Sequence, residues 1–333
     1  MSKHVAAGVA GAGFSAVIAN FFWGKSSSPS STDTSSPTSS SSSSSSLPVS
    51  RPSSPVPSKG SSPVNPSEFF KYGFPGPVHD LQTHQEFVSC YDRQKRNPYY
   101  VIEHLTPESL QRKGETDRKK SIFKEDEQIP TQFRAQLRDY FRSGYDRGHQ
   151  APAADAKFSQ QAMDETFFLT NISPQVGDGF NRDYWAHLEF FCRDMTKAFP
   201  SVRVVTGPLY LPKKCADGKW RVEYEVIGNP PNIAVPTHFF KLIVGEKSNG
   251  DLSVGAFVLP NDVISNDTPL QSFEVPVDAL EKSSGLMLLQ NVPAGRKKQL
   301  CKEVKCEITV REFGDAAKKL PPKKDMLLLP PPK

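Results

Sequence analysis

Residues 185–199 carry the clearest period in the chain. Trp185, Leu188, Cys192, Met195 and Phe199 recur at three- and four-residue steps, which gives a helix one apolar face, and Pro200 ends it. Beyond that point the pattern changes to short aromatic and β-branched runs at 202–211, 221–227, 238–244 and 252–259. These predict strands, with turns at Ala216-Asp217-Gly218 and Asn249-Gly250. An earlier run at 99–105 predicts another strand. The spacing over 156–168 predicts a helix, 167–170 a short buried strand, and 132–141 a short helix within the charged, loop-like stretch 106–142. Pro174, Gly177 and Gly179 break 172–183 into a loop. Strands with few helices between them predict an α+β domain, with a mixed or antiparallel sheet core and flanking helices, and not a doubly wound sheet.

The pattern stops at both ends. Residues 5–23 carry no charged side chain and are about long enough to cross a bilayer, but they are rich in Gly and Ala. A membrane anchor, a cleaved secretory signal and a mitochondrial presequence with a sorting segment all remain open for residues 1–24. From Ser26 to Pro66 the chain is almost wholly Ser, Pro and Thr, with too few apolar side chains to offset the entropy of ordering. This makes 25–66 a flexible tether, or a glycosylated stalk if the protein is secreted. The folded domain is expected over 67–315, followed by a disordered Lys- and Pro-rich tail over 316–333.

Composition changes this picture little. A net charge of +5 suits a polyanionic partner without requiring one. Five cysteines spread across the domain, with no C-x-x-C pair, read neither as a disulfide framework nor as a zinc site, and leave open whether Cys301 and Cys306 bridge.

The chemistry lies in two stretches. Asp146-Arg147-Gly148-His149 places an arginine and a histidine two residues apart, hence on one side of an extended segment. A histidine near its ordinary pKa of about 6.5 serves as a base at neutral pH. A guanidinium grips phosphate bidentately, and Gly148 permits close backbone approach. The second stretch runs from Asn171-Ile172-Ser173-Pro174-Gln175 to Asn181, Glu189 and Arg193. An Asn just before a helix is ordinarily an N-cap, yet its amide oxygen also suits Mg2+. Glu189 lies too far along the helix to share that ion directly and is expected to reach it through water. Arg193 suits either an ion pair with Glu189 or a phosphate contact. His187 reads as a surface residue, and His238 as structural.

These motifs, with Asn181-x-x-x-Trp185 and Leu188-Glu189-x-x-x-Arg193, resemble the signature of the DNA/RNA non-specific endonucleases with a ββα-metal site. Within that family, the stretches 96–105, 205–212, 224–228 and 235–241 are similar to those of the mitochondrial endonuclease G branch and its fungal counterparts. Gln150 departs from that branch, whose members usually have Leu there. The resemblance implies a sequence-non-specific hydrolase of DNA and RNA that leaves 5′-phosphate and 3′-hydroxyl ends. In it His149 is the general base, Asn181 the direct ligand of Mg2+ (or Mn2+), and Glu189 a carboxylate that orients metal-bound water. Arg147, Arg193 and Arg96 are implied as phosphate contacts, and Asn171 as a residue of the substrate site. It also implies a homodimer in mitochondria, in the intermembrane space or at the inner membrane through residues 5–23, with secretion as the alternative location. A 5′ exonuclease of the same fold and a catalytically silent nucleic-acid-binding protein are the competing functions.

Overall fold

The computed structural model describes residues 66–73 and 80–310. The N-terminal segment, the C-terminal tail and the Ser/Pro-rich tether expected above lie outside those residues, except Pro66, the tether's last expected residue, which opens a helix. Among the described residues no helix is long and apolar enough to cross a membrane.

The described residues begin with α1 (Pro66–Phe69) and go on to β1 (Leu81–Thr83), β2 (Phe87–Asp92) and β3 (Asn97–Leu105). Next come β4 (Asp146–His149), α2 (Gln160–Glu165), β5 (Ile172–Gln175) and α3 (Tyr184–Asp194). They are followed by β6 (Ser201–Leu209) and the short strands β7 (Lys213–Lys214), β8 (Trp220–Arg221), β9 (Val226–Ile227) and β10 (Ile233–Ala234). The long pair β11 (His238–Glu246) and β12 (Leu252–Pro260) precedes β13 (Glu274–Val275), α4 (Val277–Ser284), β14 (Lys297–Gln299) and α5 (Leu300–Glu303). The central sheet runs β1-β2-β3-β6-β11-β12-β13, antiparallel throughout, with β14 added parallel to β12. This is the α+β architecture with an antiparallel core that the pattern predicts.

The middle strands are buried on both faces, which is why β11 and β12 read as nearly continuous apolar runs. One face packs against α3: Val202, Val204, Phe239, Ile243, Phe257 and Leu259 meet Tyr184, Trp185, Leu188, Phe191 and Cys192. Trp185 stacks obliquely on Phe180 and Phe239, with centroids 5.4 and 5.6 Å apart. On the other face Ile102, Val205, Leu242 and Val244 lie beneath Phe69 and residues 287–289. Cys301 and Cys306 form a disulfide, with Cα atoms 5.2 Å apart, while Cys90, Cys192 and Cys215 are free.

Several local expectations are corrected. Residues 172–175 form a strand and not a loop: β5 pairs only with β4, so Pro174 costs no ladder hydrogen bond. Residues 167–170 are not a strand; apart from one parallel bridge between Lys124 and Phe168, the backbone turns into a 3-10 turn at Leu169–Asn171. Over 132–141 two 3-10 turns replace a helix, because Ala135 N donates to the Tyr91 hydroxyl and Arg134 stays extended. The helix over 156–168 shrinks to α2, capped by Ser159, whose Oγ accepts from Ala162 N. The strand over 221–227 survives only at its ends, as β8 and β9.

Candidate active site

β4 and β5 form a two-stranded ribbon, with Arg147 opposite Pro174, Gly148 opposite Ser173 and His149 opposite Ile172. With α3 they make a strand-strand-helix unit on the α3 face of the sheet. Asn171 anchors the end of the ribbon. Its Oδ1 accepts from Ala151 N at 2.9 Å, its Nδ2 donates to Ala151 O and Thr166 O at 2.9 and 2.8 Å, and its carbonyl accepts from Gln150 N at 2.9 Å. Both amide hydrogens are thus given to backbone, which makes Asn171 the residue that fixes the exit of the His149 strand. Gly148 is required for a different reason than close approach of substrate: a Cβ there would lie 2.1 Å from the Gln175 side chain.

Arg147 and His149 share one side of β4, and both meet Phe123. The guanidinium lies 4.3 Å from the Phe123 centroid, and the imidazole 5.4 Å. Phe167 closes the other side of His149, edge-on at 4.8 Å, and carries the Arg118 guanidinium at 5.7 Å. Arg147 is exposed, whereas His149 is 8% exposed and its Nε2 is buried without a hydrogen-bond partner. Burial, then Arg118 and Arg147, push His149 down to about 3, so the ring is neutral throughout the physiological range. The ordinary value expected from sequence alone does not hold, because the aromatic walls exclude water.

Asn181 ends a wide turn, Gly177–Asn181, closed by Asn181 N donating to Val176 O at 2.9 Å. It does not cap α3; that place is taken by Asp183. Its Nδ2 donates to Asp146 Oδ2 at 2.9 Å, and Arg182 donates to the same carboxylate from Nε at 2.7 Å and Nη2 at 3.1 Å. The amide is therefore fixed with Oδ1 turned away from Asp146. Among the described residues no cluster of three or more His, Cys, Asp or Glu side chains could enclose a metal. One oriented amide oxygen is a poor zinc site, but it fits Mg2+, which keeps most of its water and often takes one or two protein ligands.

Glu189 lies on α3, partly buried, and burial pushes its carboxyl up to about 7 against the opposing charges of Lys241 and Arg193. The charge of Arg118, which lies over Phe167, acts on both His149 and Glu189. Arg193 pairs with the buried Asp155 at 2.7 Å. Arg96 lies in the turn between β2 and β3, its Nη2 donating to Gln132 O at 2.8 Å and its guanidinium 5.5 Å from the Phe133 centroid. Arg147, His149, Asn181 and Glu189 are thus organised around one unit, while Arg96 is engaged with other residues. His187 is buried at 1% exposure instead of lying on the surface. Sequence reasoning missed Arg118, Phe123 and Phe167. Arg118 stood in a run of basic residues with nothing to single it out, and the aromatics carry no motif of their own.

Residues 65–295 match the profile of the DNA/RNA non-specific endonucleases. The chain is 66% identical over 292 residues to a mitochondrial nuclease of Saccharomyces cerevisiae, covering 86% of this chain and 88% of that protein. It is 56% identical to nuclease 1, mitochondrial, of Schizosaccharomyces pombe, covering 76% of this chain and 80% of the relative. It is 42% identical to human endonuclease G, mitochondrial, with coverages of 68% and 75%. Among solved structures, one chain of the EndoG/EndoGI complex, described as showing the mechanism of EndoG inhibition, superimposes with a TM-score of 0.68 at 48% identity. That match covers 70% of this chain and 97% of the other.

Proposed function

Because this chain belongs to the family of DNA/RNA non-specific endonucleases, we propose that it cuts DNA and RNA internally by Mg2+-dependent hydrolysis, leaving 5′-phosphate and 3′-hydroxyl ends. The observation that carries this chemistry is His149, neutral in its aromatic niche, with an unpartnered Nε2 and two arginines close by. In the proposed reaction Nε2 takes the proton of the attacking water. Arg147, exposed and stacked on Phe123, holds non-bridging phosphate oxygens, and Arg118 is placed to join it. A phosphodiester brought beside these guanidiniums offsets their charge, the lesser cause of the lowered His149 basicity, while burial, the larger one, keeps the ring neutral and able to accept a proton. Asn181 Oδ1 is the proposed direct ligand of Mg2+ (or Mn2+), and Glu189 holds the water between them. Bound there, the ion would supply Lewis-acid charge to the phosphodiester. Arg193 braces α3 through Asp155, and its phosphate contact, like that of Arg96, belongs to the substrate-bound state.

Contacts to phosphate, with no reading of base edges, explain weak sequence preference and require strong salt dependence. Closed circular DNA and circular RNA distinguish this reading from a 5′ exonuclease: circles are expected to be opened, and the resulting fragments to be sealed by a ligase that requires 5′-phosphate and 3′-hydroxyl ends. Intact circles beside degraded linear strands would assign the exonuclease instead.

The proposed location is the mitochondrion, in the intermembrane space or at the inner membrane, with residues 5–23 as anchor or sorting segment. It is supported by the names of the yeast relatives. Secretion is the outcome that fractionation of cells expressing the full chain would reveal. A homodimer is proposed as the working state, and sedimentation of the purified protein at micromolar concentration tests it.

A further inference from the structure

The face of β11 that meets α3 reads Phe239, Lys241, Ile243, so the alternation of the strand buries a lysine between two apolar side chains. Lys241 is 1% exposed. Burying an ammonium costs several kcal/mol unless charges and hydrogen bonds offset it. Here the Nζ donates to Thr206 Oγ1 at 2.8 Å, makes a long contact to Gln150 O at 3.5 Å, and lies 4.8 Å from the Trp185 centroid. Two buried carboxylates, Glu86 and Glu103, feel its charge, and so does Glu189.

These contacts lead to opposite halves of the site. Gln150 follows His149, and its N–H is already held by Asn171 O. The next peptide, Gln150–Ala151, is held at its N–H by Asn171 Oδ1 and approached at its carbonyl by Lys241. Trp185 stands one turn before Glu189 on α3, at the i, i+4 spacing that shares a helix face. Building on the nuclease reading above, we propose that Lys241 is a positioning residue for the hydrolysis. From the central sheet it holds the Gln150 carbonyl behind His149 and, through Trp185, the helix that carries Glu189, and so maintains the spacing between base and carboxylate. Its burial keeps it from touching substrate, so its effect falls on the chemical step and not on binding.

The test is plasmid nicking by the full chain carrying Lys241→Met, with steady-state kinetics in Mg2+ and DNA affinity measured in EDTA. A misplacement of about 1 Å costs roughly 100-fold in rate, so kcat is expected to fall about 10- to 100-fold while KM and DNA affinity stay within about twofold. Lys241→Met with Glu103→Gln removes a carboxylate together with the ammonium, and it carries the same expectation if the single variant does not fold. If neither folds, Thr206→Val loosens Nζ without removing the charge, and a smaller fall in kcat at unchanged KM is expected. Wild-type kcat in a folded variant, or a loss in KM or DNA affinity at unchanged kcat, would overturn the proposal. Wild-type protein that left the plasmid intact in Mg2+ would instead count against the nuclease reading itself.

Discussion

Asn181 donates from Nδ2 to Asp146 Oδ2 at 2.9 Å, across 35 residues of sequence. The first residue of the Asp-Arg-Gly-His strand thereby sets the direction in which a distant amide presents its carbonyl. Arg182, bonded to the same carboxylate, keeps Asp146 in place. Partners that orient a metal ligand are typically worth about 10- to 100-fold in metal affinity. Asp146→Ala is therefore expected to raise the Mg2+ concentration for half-maximal cleavage by about that factor, with saturating Mg2+ recovering part of the rate. An unchanged Mg2+ titration would dissociate Asp146 from the metal.

The titration of the site follows from burial. Glu189, raised to about 7, holds its proton more tightly in the folded chain than in the unfolded one. The stability this gives is fully present below about 4.5 and is lost as pH rises through about 7. Glu189→Gln should remove that loss, so in metal-free urea melts the variant gains on wild type between pH 5 and 8, by ~1–3 kcal/mol. His149, lowered to about 3, has the opposite sign: its contribution is present above about 6.5 and lost as pH falls through 3. In the metal-free protein Glu189 is the site residue that titrates near neutral pH, and an acidic limb of cleavage that persists unchanged in the residual activity of Glu189→Gln would belong to another group.

Gly148→Ala places a methyl group 2.1 Å from the buried Gln175 side chain. Overpacking of this kind costs about 1–3 kcal/mol. The variant should melt lower and lose most activity, because the displaced ribbon carries both Arg147 and His149. A melting point and kcat equal to wild type would mean that Gln175 swings aside freely.

Asn171→Ala removes an amide that satisfies three backbone groups at Ala151 and Thr166. Each buried group left unpaired costs about 1–3 kcal/mol. Chemical denaturation should show a loss of several kcal/mol, together with faster hydrogen exchange at Gln150 and Ala151. Native-like protection at those amides would contradict the anchoring role.

What the sequence made legible divides along physical lines. The helix bearing Glu189 and the long strands around Phe239 and Phe257 were readable, because their apolar period is set by burial against one another. The strand Ile172–Gln175 was not: Pro174 looks like a breaker until the strand is known to have one neighbour only. The site motif was visible in Arg147, His149, Asn181 and Glu189. The depressed basicity of His149 was not, because it depends on Phe123 and Phe167, which reach the ring only in the folded chain. Lys241 hid in a strand for the same reason. Its neighbours Thr206, Gln150 and Trp185 come from three separate stretches of sequence.

The most direct measurement is nicking of closed circular plasmid by wild type and His149→Ala, each with Mg2+ or EDTA, beside gel-shift binding of the same DNA. Wild type alone should convert supercoiled DNA to open circles and fragments, only with the metal, while both proteins bind DNA with similar affinity. Equal nicking by His149→Ala would contradict its role as the base, and an intact plasmid bound equally by both would contradict the endonuclease.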